Sequence, residues 1–275
     1  MARDSLKSVA RLLQSTQEGA VSVEQSFLAD LKRSIELQDE AESRPPSQSY
    51  KPSSMQCIRN MYYQMTGAEQ TESKASYALI GICNSGTDIH ARIQKAVLGM
   101  GSCNLDCEYV SVEEFVKSRG LTDLKIVKKS NFAKGNFETK LYHKKLRISF
   151  LCDGIIKYKG QYFILELKTE SGNKFMARKG VDPKHYDQGT CYSLMFGLDR
   201  VIFVYISRDV LDMKAYMLEV TDEMRKSVVD RIEECDTYVA KNEVPPKPEL
   251  PRGVCTYCAY FNRCQDEKGE RNGES

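Results

Sequence analysis

The most constraining feature of this 275-residue chain is the stretch LCDGIIKYKGQYFILELK at residues 151–168. Two apolar runs flank a Lys159-Gly160 pair, which predicts a β-hairpin. Along the second run, three apolar side chains alternate with Glu166 and Lys168, so the two charges share one face. Charges are rarely buried without a partner or a metal. The hairpin therefore carries either a salt bridge or, together with Asp153, a metal site. The three apolar side chains are Phe163, Leu165 and Leu167.

The apolar runs and the cysteine count of the sequence limit the classes of protein to which this chain can belong. The chain has no run of 18 apolar residues and no apolar segment typical of a secretory signal, so we expect a soluble cytoplasmic protein without a membrane span. Ten cysteines in such a compartment favour metal ligands or buried thiols over disulfides.

Charge is unevenly distributed along the chain. Residues 117–184 hold 17 Lys and Arg against 6 Asp and Glu, a net charge of +11, whereas the remainder holds 23 against 32, a net charge of −9. A basic segment in an otherwise acidic chain indicates a surface for a polyanion such as a nucleic acid. A lysine-rich face that merely meets solvent is the alternative.

Breaker residues and periodicity predict three parts. Residues 1–49 form an N-terminal helical extension of two helices and a linker, 50–265 form the main domain, and 266–275 form a disordered tail. Within the main domain, helices are predicted at about 55–65, 76–98, 112–118, 183–196 and 222–241. Strands are predicted at 125–129, 140–156, 161–168, 200–207 and 214–220.

The spacing Cys255-x2-Cys258-x5-Cys264 predicts a metal or cluster site. Zinc and iron–sulfur sites usually need four such ligands, so a fourth must come from elsewhere. Cys57 is a candidate, but spacing alone does not prefer it over the other cysteines. A set of buried apolar thiols is the alternative.

Three further residues, His90, Gln188 and Tyr192, indicate a functional site only when they are considered together. His90 lies on an amphipathic helix, one turn after Gly86, where it is either a metal ligand or a packed core residue. Gln188 and Tyr192 share a face of another helix and are able to contact phosphate or a base, or simply to meet solvent.

Taken in order, these pieces resemble the RecB-like nucleases of the PD-(D/E)xK superfamily. The order is Gly86-x3-His90, Asp153, Glu166-Leu-Lys168 and then Gln188-x3-Tyr192. The flanking cysteines resemble the iron–sulfur branch of that family, which includes CRISPR-associated and phage-type exonucleases. The run YKPSSMQCIRNMYYQMTG around Cys57 also resembles the segment that holds the first cluster cysteine there.

The resemblance implies a restriction-endonuclease-like α/β core, in which helices flank a central mixed sheet. It implies that His90, Asp153, Glu166 and the Leu167 carbonyl bind Mg²⁺ or Mn²⁺, and that Lys168 is the catalytic lysine. Gln188 and Tyr192 would hold DNA. The four cysteines that would hold a structural 4Fe–4S cluster are Cys57, Cys255, Cys258 and Cys264.

The activity so implied is a metal-dependent DNA exonuclease in which a metal-activated water hydrolyses single-stranded DNA from a free end. The setting would be a bacterial cell, or a phage protein in its host, with recombination, replication or CRISPR adaptation proteins as partners. One departure is Cys152, which stands where the superfamily's name has Pro. The competing interpretation is a non-catalytic nucleic-acid-binding module with a structural zinc or iron–sulfur site.

Overall fold

The computed structural model describes residues 22–42, 48–70, 75–250, 254–255 and 258–266. The chain divides into two compact units. The described part of the smaller unit comprises residues 22–42 and 75–82, and that of the larger unit comprises the remainder. Within the described part of the chain, no helix has the length and apolarity needed to cross a membrane.

The smaller unit contains helix α1, Val23–Glu42, and the start of a long helix. The backbone N–H of Tyr77 donates to a Glu36 carboxylate oxygen at 3.1 Å, and the Lys32 ammonium lies 4.7 Å from the centre of the Tyr77 ring. Large apolar side chains of α1, among them Phe27, are exposed. The other helix predicted for the extension falls outside the described residues.

The larger unit contains two sheets. A five-stranded mixed sheet has the order β1-β5-β6-β7-β8, and a three-stranded sheet has the order β2-β3-β4. Strands β6 and β7 are parallel, and the other neighbouring pairs are antiparallel. The strands are β1 Cys107–Val110, β2 Leu124–Lys128, β3 Thr139–His143, β4 Ile148–Cys152, β5 Gly154–Tyr158, β6 Gln161–Glu170, β7 Arg200–Ser207 and β8 Met213–Glu219.

Helices cover this mixed sheet, as the predicted fold class requires. They are α2 Ile58–Thr66, α3 Tyr77–Gly99, α4 Val112–Ser118, α5 Gly172–Ala177, α6 Tyr186–Phe196, α7 Asp222–Lys241 and α8 Phe261–Asp266. The crossover from β6 to its parallel neighbour β7 runs through α5 and α6, because parallel strands cannot be joined by a tight turn.

The hairpin of β5 and β6 is confirmed. Lys159 and Gly160 both have positive φ, 48° and 77°, as a two-residue type I′ turn requires. The two faces of β6 enter different apolar clusters. Ile164 joins the cluster that includes α6, α2 and α7, whereas Leu165 and Leu167 join one that includes Ile89 of α3. Because β6 is buried on both faces, its polar side chains are enclosed as well.

Two predictions about local structure are wrong. The strand expected at 140–156 is three strands, β3, β4 and β5, because the chain turns between His143 and Ile148 and again at Asp153. Cys57 is not inside a helix but is the N-cap residue of α2, with extended backbone at φ −134° and ψ 105°. The predicted tail from 267 onward lies outside the described residues.

Candidate functional site

Asp153 lies between β4 and β5, where the chain passes from the three-stranded sheet to the five-stranded sheet. Strand β3 pairs Thr139 with Cys152, so one further step of that register sets Glu138 opposite Asp153. Strand β5 pairs Gly154 with Leu165, so one step in the other direction sets Glu166 opposite the same residue. Two antiparallel ladders thus bring a second and a third carboxylate to Asp153.

The position of Asp153 is fixed by hydrogen bonds. One carboxylate oxygen, Oδ2, accepts from the backbone N–H of Leu167 at 2.7 Å. Its main-chain carbonyl accepts from the Gln94 amide at 2.7 Å and from the Tyr109 hydroxyl. The Tyr109 ring passes so close that a Cβ on Gly154 would lie 2.8 Å from its hydroxyl, so this position requires glycine. The second carboxylate oxygen of Asp153 is thereby aimed away from β6.

Helix α3 supplies His90 to this second oxygen. Gly86 faces β6, where a Cβ would lie 3.2 Å from the Thr169 hydroxyl, so glycine lets the helix approach the strand closely. One turn later, His90 Nδ1 lies 3.4 Å from Asp153 Oδ1. Burial disfavours protonation of the imidazole, but the hydrogen bond and charge of Asp153 raise the pKa of His90 above its usual value.

Donor atoms of His90, Glu138 and Asp153 all lie within 4.8 Å of one another. One imidazole nitrogen and carboxylate oxygens suit Mn²⁺ or Mg²⁺, and the spacing fits ligands of one cation. Burial, and then the charge of Asp153, raise the pKa of Glu138, as expected where carboxylates converge without a cation between them. The donor set therefore fits a divalent metal.

Glu138 was not among the residues predicted from the sequence. Glu138 lies near Asp153 because β3 and β4 form a hairpin. The prediction of one long strand at 140–156 did not include that hairpin. Counting back from a turn at residues 144–147 would have paired Glu138 with Asp153.

Glu166 and Lys168 form the salt bridge that was one of the two alternatives for the hairpin. Lys168 Nζ lies 2.8 Å from Glu166 Oε1. The same oxygen accepts from Gln188 Nε2 at 2.6 Å, and Gln188 Oε1 accepts from Lys168 Nζ at 2.9 Å. Burial raises the pKa of Glu166 to about 7, against the opposing effect of Lys168. Glu166, Lys168 and Gln188 thus form a closed triangle of polar contacts, which lies next to the acids around Asp153.

Gln188 and Tyr192 lie inside the protein. Gln188 Nε2 is 3.0 Å from the Tyr192 hydroxyl, which in turn donates to the Leu151 carbonyl at 3.2 Å. Both side chains are buried. Their contacts are with the hairpin and with each other, and DNA contact by these residues stays a prediction. Metal ligation by the Leu167 carbonyl also stays a prediction.

The four predicted cluster cysteines line one cavity, which brings residues nearly 200 positions apart together. Cys57 precedes α2, Cys264 lies on α8, and Cys258 begins the turn that leads into α8. The fourth is Cys255. The other cysteines are free thiols, either buried or exposed: Cys83, Cys103, Cys107, Cys152, Cys191 and Cys235.

Neighbouring donors point at the cysteine sulfurs. Asn60 Nδ2 lies 3.6 Å from Cys258 Sγ, and Arg59 donates to Cys264 Sγ at 3.4 Å. Burial, and then the proximity of Cys258 and Cys264, raise the pKa of Cys57 to about 11. Four thiols that line one cavity fit a bound cationic centre, because a metal stabilises the thiolate form that burial disfavours at Cys57. Both zinc and an iron–sulfur cluster satisfy this donor chemistry.

No protein-family model and no curated protein matches this sequence. Among solved structures, the crystal structure of SSO0001 aligns over 86% of this chain and 96% of its own, with 16% identity and a TM-score of 0.47. LHK-Exo in complex with dAMP aligns over 71% and 89%, with 12% identity and a TM-score of 0.42. The alkaline exonuclease LHK-Exo from Laribacter hongkongensis aligns over 72% and 92%, with 10% identity and a TM-score of 0.35. Similarity at this level does not assign an activity, so the assignment of function rests on the site's own geometry.

Proposed function

We propose that the protein is a divalent-metal-dependent DNA exonuclease of the PD-(D/E)xK type, with its nuclease domain in residues 50–265. The observation that carries the proposal is the convergence on Asp153 of His90 and Glu138, beside the hydrogen-bonded pair of Glu166 and Lys168. Carboxylates, a nitrogen ligand and one ammonium group are the parts that metal-assisted phosphodiester hydrolysis needs.

The cation would be held by His90, Asp153 and Glu138, with Glu166 and the Leu167 carbonyl as further ligands. Bound there, Mg²⁺ or Mn²⁺ would polarise the phosphodiester and lower the pKa of a water molecule. The backbone N–H of Leu167 fixes one Asp153 oxygen, Oδ2, and the other, Oδ1, faces His90 Nδ1 at 3.4 Å.

Lys168 is suited to the charge that develops on the phosphate. Its ammonium is half-buried and is aimed by two acceptors, Glu166 Oε1 and Gln188 Oε1, at 2.8 and 2.9 Å. A donor that is already oriented needs no reorganisation as negative charge grows. We assign Gln188 and Tyr192 to the DNA side of this site, where Gln188 completes the triangle with Glu166 and Lys168, and the Tyr192 hydroxyl accepts a hydrogen bond from Gln188.

The proposed substrate is single-stranded DNA entered from a free end. The support is the resemblance of the ordered motifs and the net charge of +11 in residues 117–184, within which β2 to β6 and α5 lie. A positive surface attracts a phosphate backbone without reading its sequence.

We also propose that the four cysteines hold a 4Fe–4S cluster with a structural role. The converging thiols and the two N–H···S contacts support it. A bridge between Cys57 and the cysteines of 255–264 closes a loop of about 200 residues and so restricts the unfolded chain.

The activity is tested by incubating the purified protein with end-blocked and free-ended DNA, single- and double-stranded, with Mg²⁺, Mn²⁺ or EDTA. We expect metal-dependent release of nucleotides from free-ended single strands. A protein that binds DNA but cleaves none of these with either metal would instead be the non-catalytic binding module. Loss of cleavage in Asp153→Asn, alongside normal cleavage in the exposed-lysine variant Lys241→Ala, would connect activity to the site.

The cluster is tested independently of activity. Protein purified without oxygen should be brown and contain about four iron and four sulfide per chain, as expected for four thiolate ligands. A colourless protein with one zinc per chain would contradict the iron–sulfur proposal and leave the nuclease proposal intact.

A further inference from the structure

Two lysines outside the site converge on one carboxylate. Lys174 lies on α5, and Lys184 lies in the short 3₁₀ turn at Pro183–His185 that precedes α6. Their ammonium nitrogens lie 3.3 and 3.9 Å from the same oxygen of Asp182. The backbone fixes that carboxylate, because Asp182 caps the turn by accepting from the Lys184 N–H.

The positive charge here exceeds the negative charge. Arg178 also contacts the same Asp182 oxygen at 3.3 Å, while it pairs with both carboxylate oxygens of Glu170 at 2.7 Å. Within the described chain, Asp182 is the acid that lies within 4 Å of either lysine ammonium. Three cations therefore share two acids, and the lysines are left with less than one full counter-charge.

Burial and the excess positive charge lower the pKa values of groups at the lysine pair. Burial, and then the neighbouring Lys174, lower the pKa of Lys184. Burial, and then the charges of Lys168 and Lys184, lower the pKa of His185 to about 2, so this imidazole is neutral. His185 stacks against Phe203 and adds no positive charge of its own. An anion at the lysine pair would relieve a repulsion that the protein's own acids leave in place.

The lysine pair is adjacent to the hairpin site. The charge of Lys168 acts on both Lys184 and His185. Lys168 also contacts Gln188, which lies one turn after Lys184 on the segment that continues into α6. The lysine pair therefore lies on the Lys168 side of the site, while the His90 and Glu138 donors contact Asp153.

We propose that Lys174 and Lys184 form a phosphate-binding subsite for single-stranded DNA, which holds a backbone phosphate close to the one that is cleaved. The subsite rests on the proposed nuclease function and adds to it a defined anchor for the strand. Two ammonium groups around one carboxylate accept a phosphodiester as a shared counter-ion, through hydrogen bonds to its unesterified oxygens.

The test measures DNA binding without cleavage. Asp153→Asn protein is titrated into a fluorescein-labelled oligo(dT) of ten nucleotides, and anisotropy is followed from low to high salt. Adding Lys174→Ala and Lys184→Ala should weaken binding about 10-fold or more and reduce the slope of log K against log salt by about 0.7, the value for the one phosphate that the protein no longer neutralises. Lys241→Ala, which removes an exposed lysine of α7 outside the basic segment 117–184, should change binding less than about 2-fold.

Kinetics of the enzyme with Asp153 restored provide a second readout. The lysine double variant should raise KM with little change in kcat, and Lys174→Arg with Lys184→Arg should restore KM. Unchanged affinity and salt slope would contradict the subsite. A fall in kcat at unchanged KM would also contradict it, because the lysines would then be positioning Lys168. Absence of DNA binding and cleavage even with both lysines present would instead contradict the proposed function. Circular dichroism and thermal melting of each variant confirm that the chains compared are folded.

Discussion

At the hairpin, three hydrogen bonds from the protein hold Asp153, and three more close the triangle of Glu166, Lys168 and Gln188. Around the cysteines, Asn60 Nδ2 lies 3.6 Å from the sulfur of Cys258, and the Arg59 guanidinium donates to the sulfur of Cys264 at 3.4 Å. Both places gather side chains from distant parts of the sequence. The hairpin site is positioned by strand pairing, whereas the cysteines lie at the start of α2 and in the short segment that includes α8, where Arg59 donates to the carbonyls of Pro245 and Cys264.

This difference indicates that the fold positions the residues of the hairpin site. A centre bound by the cysteines would instead help to stabilise the fold. Ladder register sets the acids at Asp153, so a cation there would find its ligands in place. Burial, and then the proximity of Cys258 and Cys264, raise the pKa of Cys57, so a bound cationic centre would stabilise its thiolate and hold Cys57 beside the cysteines of 255–264. We therefore expect damage at the hairpin to appear in catalysis and damage at the cysteines to appear in stability.

The largest effect is expected from Cys258→Ser. If the cysteines hold a cluster, the free energy of binding the cluster also stabilises the folded state. Loss of one ligand should therefore lower the free energy of unfolding by about 4 kcal/mol or more. For a domain of this size, that corresponds to a fall in the melting temperature of about 10 °C or more. Thermal melting with parallel iron analysis measures it. Cys83→Ser, at an exposed thiol, is the matched control, and equal melting temperatures for both variants would contradict the structural role.

The next effect concerns the hairpin. Lys168→Ala removes the oriented ammonium, so we expect kcat to fall about 10²–10³-fold, the usual cost of losing one donor to developing charge. The melting temperature should change far less than in Cys258→Ser. Single-turnover cleavage and thermal melting on the same preparation measure both. A Lys168→Ala enzyme with full kcat would remove this lysine from the mechanism.

These two regions also differ in how far the sequence could predict them. Alternation and a Lys-Gly turn predicted the β5–β6 hairpin, because register in a buried strand is tied to its apolar pattern. Helix α7 agrees with the helix predicted at about 222–241, and in the structure Thr221 caps its start and Asn242 ends it in the left-handed region. Spacing predicted three of the cysteine positions, but the resemblance was needed to choose Cys57.

What the sequence could not predict depends on pairing between distant segments. Strand β1 has four residues, and it is ordered by pairing with β5, where Cys107 lies opposite Tyr158. Glu138 is one acid in a lysine-rich segment until the β3–β4 ladder sets it opposite Asp153. Burial of Gln188 and Tyr192 follows from contacts with β6 and Leu151, which helical spacing does not encode.

Glu138→Gln tests whether that unpredicted acid belongs to the metal site. The amide keeps the shape and removes the charge, so we expect Mn²⁺ affinity to fall about 10–100-fold, the range observed when metal-site partners are changed. Mn²⁺ titration followed by electron paramagnetic resonance measures binding directly, without cleavage. Glu108→Gln, at an exposed position of β1, is the control. Equal affinities for the two variants would exclude Glu138 from the metal site.

The smallest effect concerns His185, which lies beside the proposed phosphate subsite. Burial, and then the charges of Lys168 and Lys184, lower its pKa to about 2, whereas the unfolded chain has the usual value of about 6.5. Below pH 6.5 the unfolded state therefore binds the extra proton, and stability falls as pH falls. Between pH 7 and 5 the loss should be about 1–2 kcal/mol.

Replacing His185 should remove this dependence. His185→Phe keeps the stacking on Phe203, and His185→Asn keeps an acceptor near the Tyr205 hydroxyl, which lies 2.9 Å from Nδ1. The two variants will differ in absolute stability, but both should lose less stability than the wild type between pH 7 and 5 in urea titrations. The two variants share only the loss of the titrating imidazole. A weaker pH dependence of stability in both would therefore identify the imidazole as the cause of the dependence in the wild type. A pH dependence as steep as that of the wild type in both would show that His185 is protonated in the folded protein and that the hairpin side is less positive than its contacts indicate.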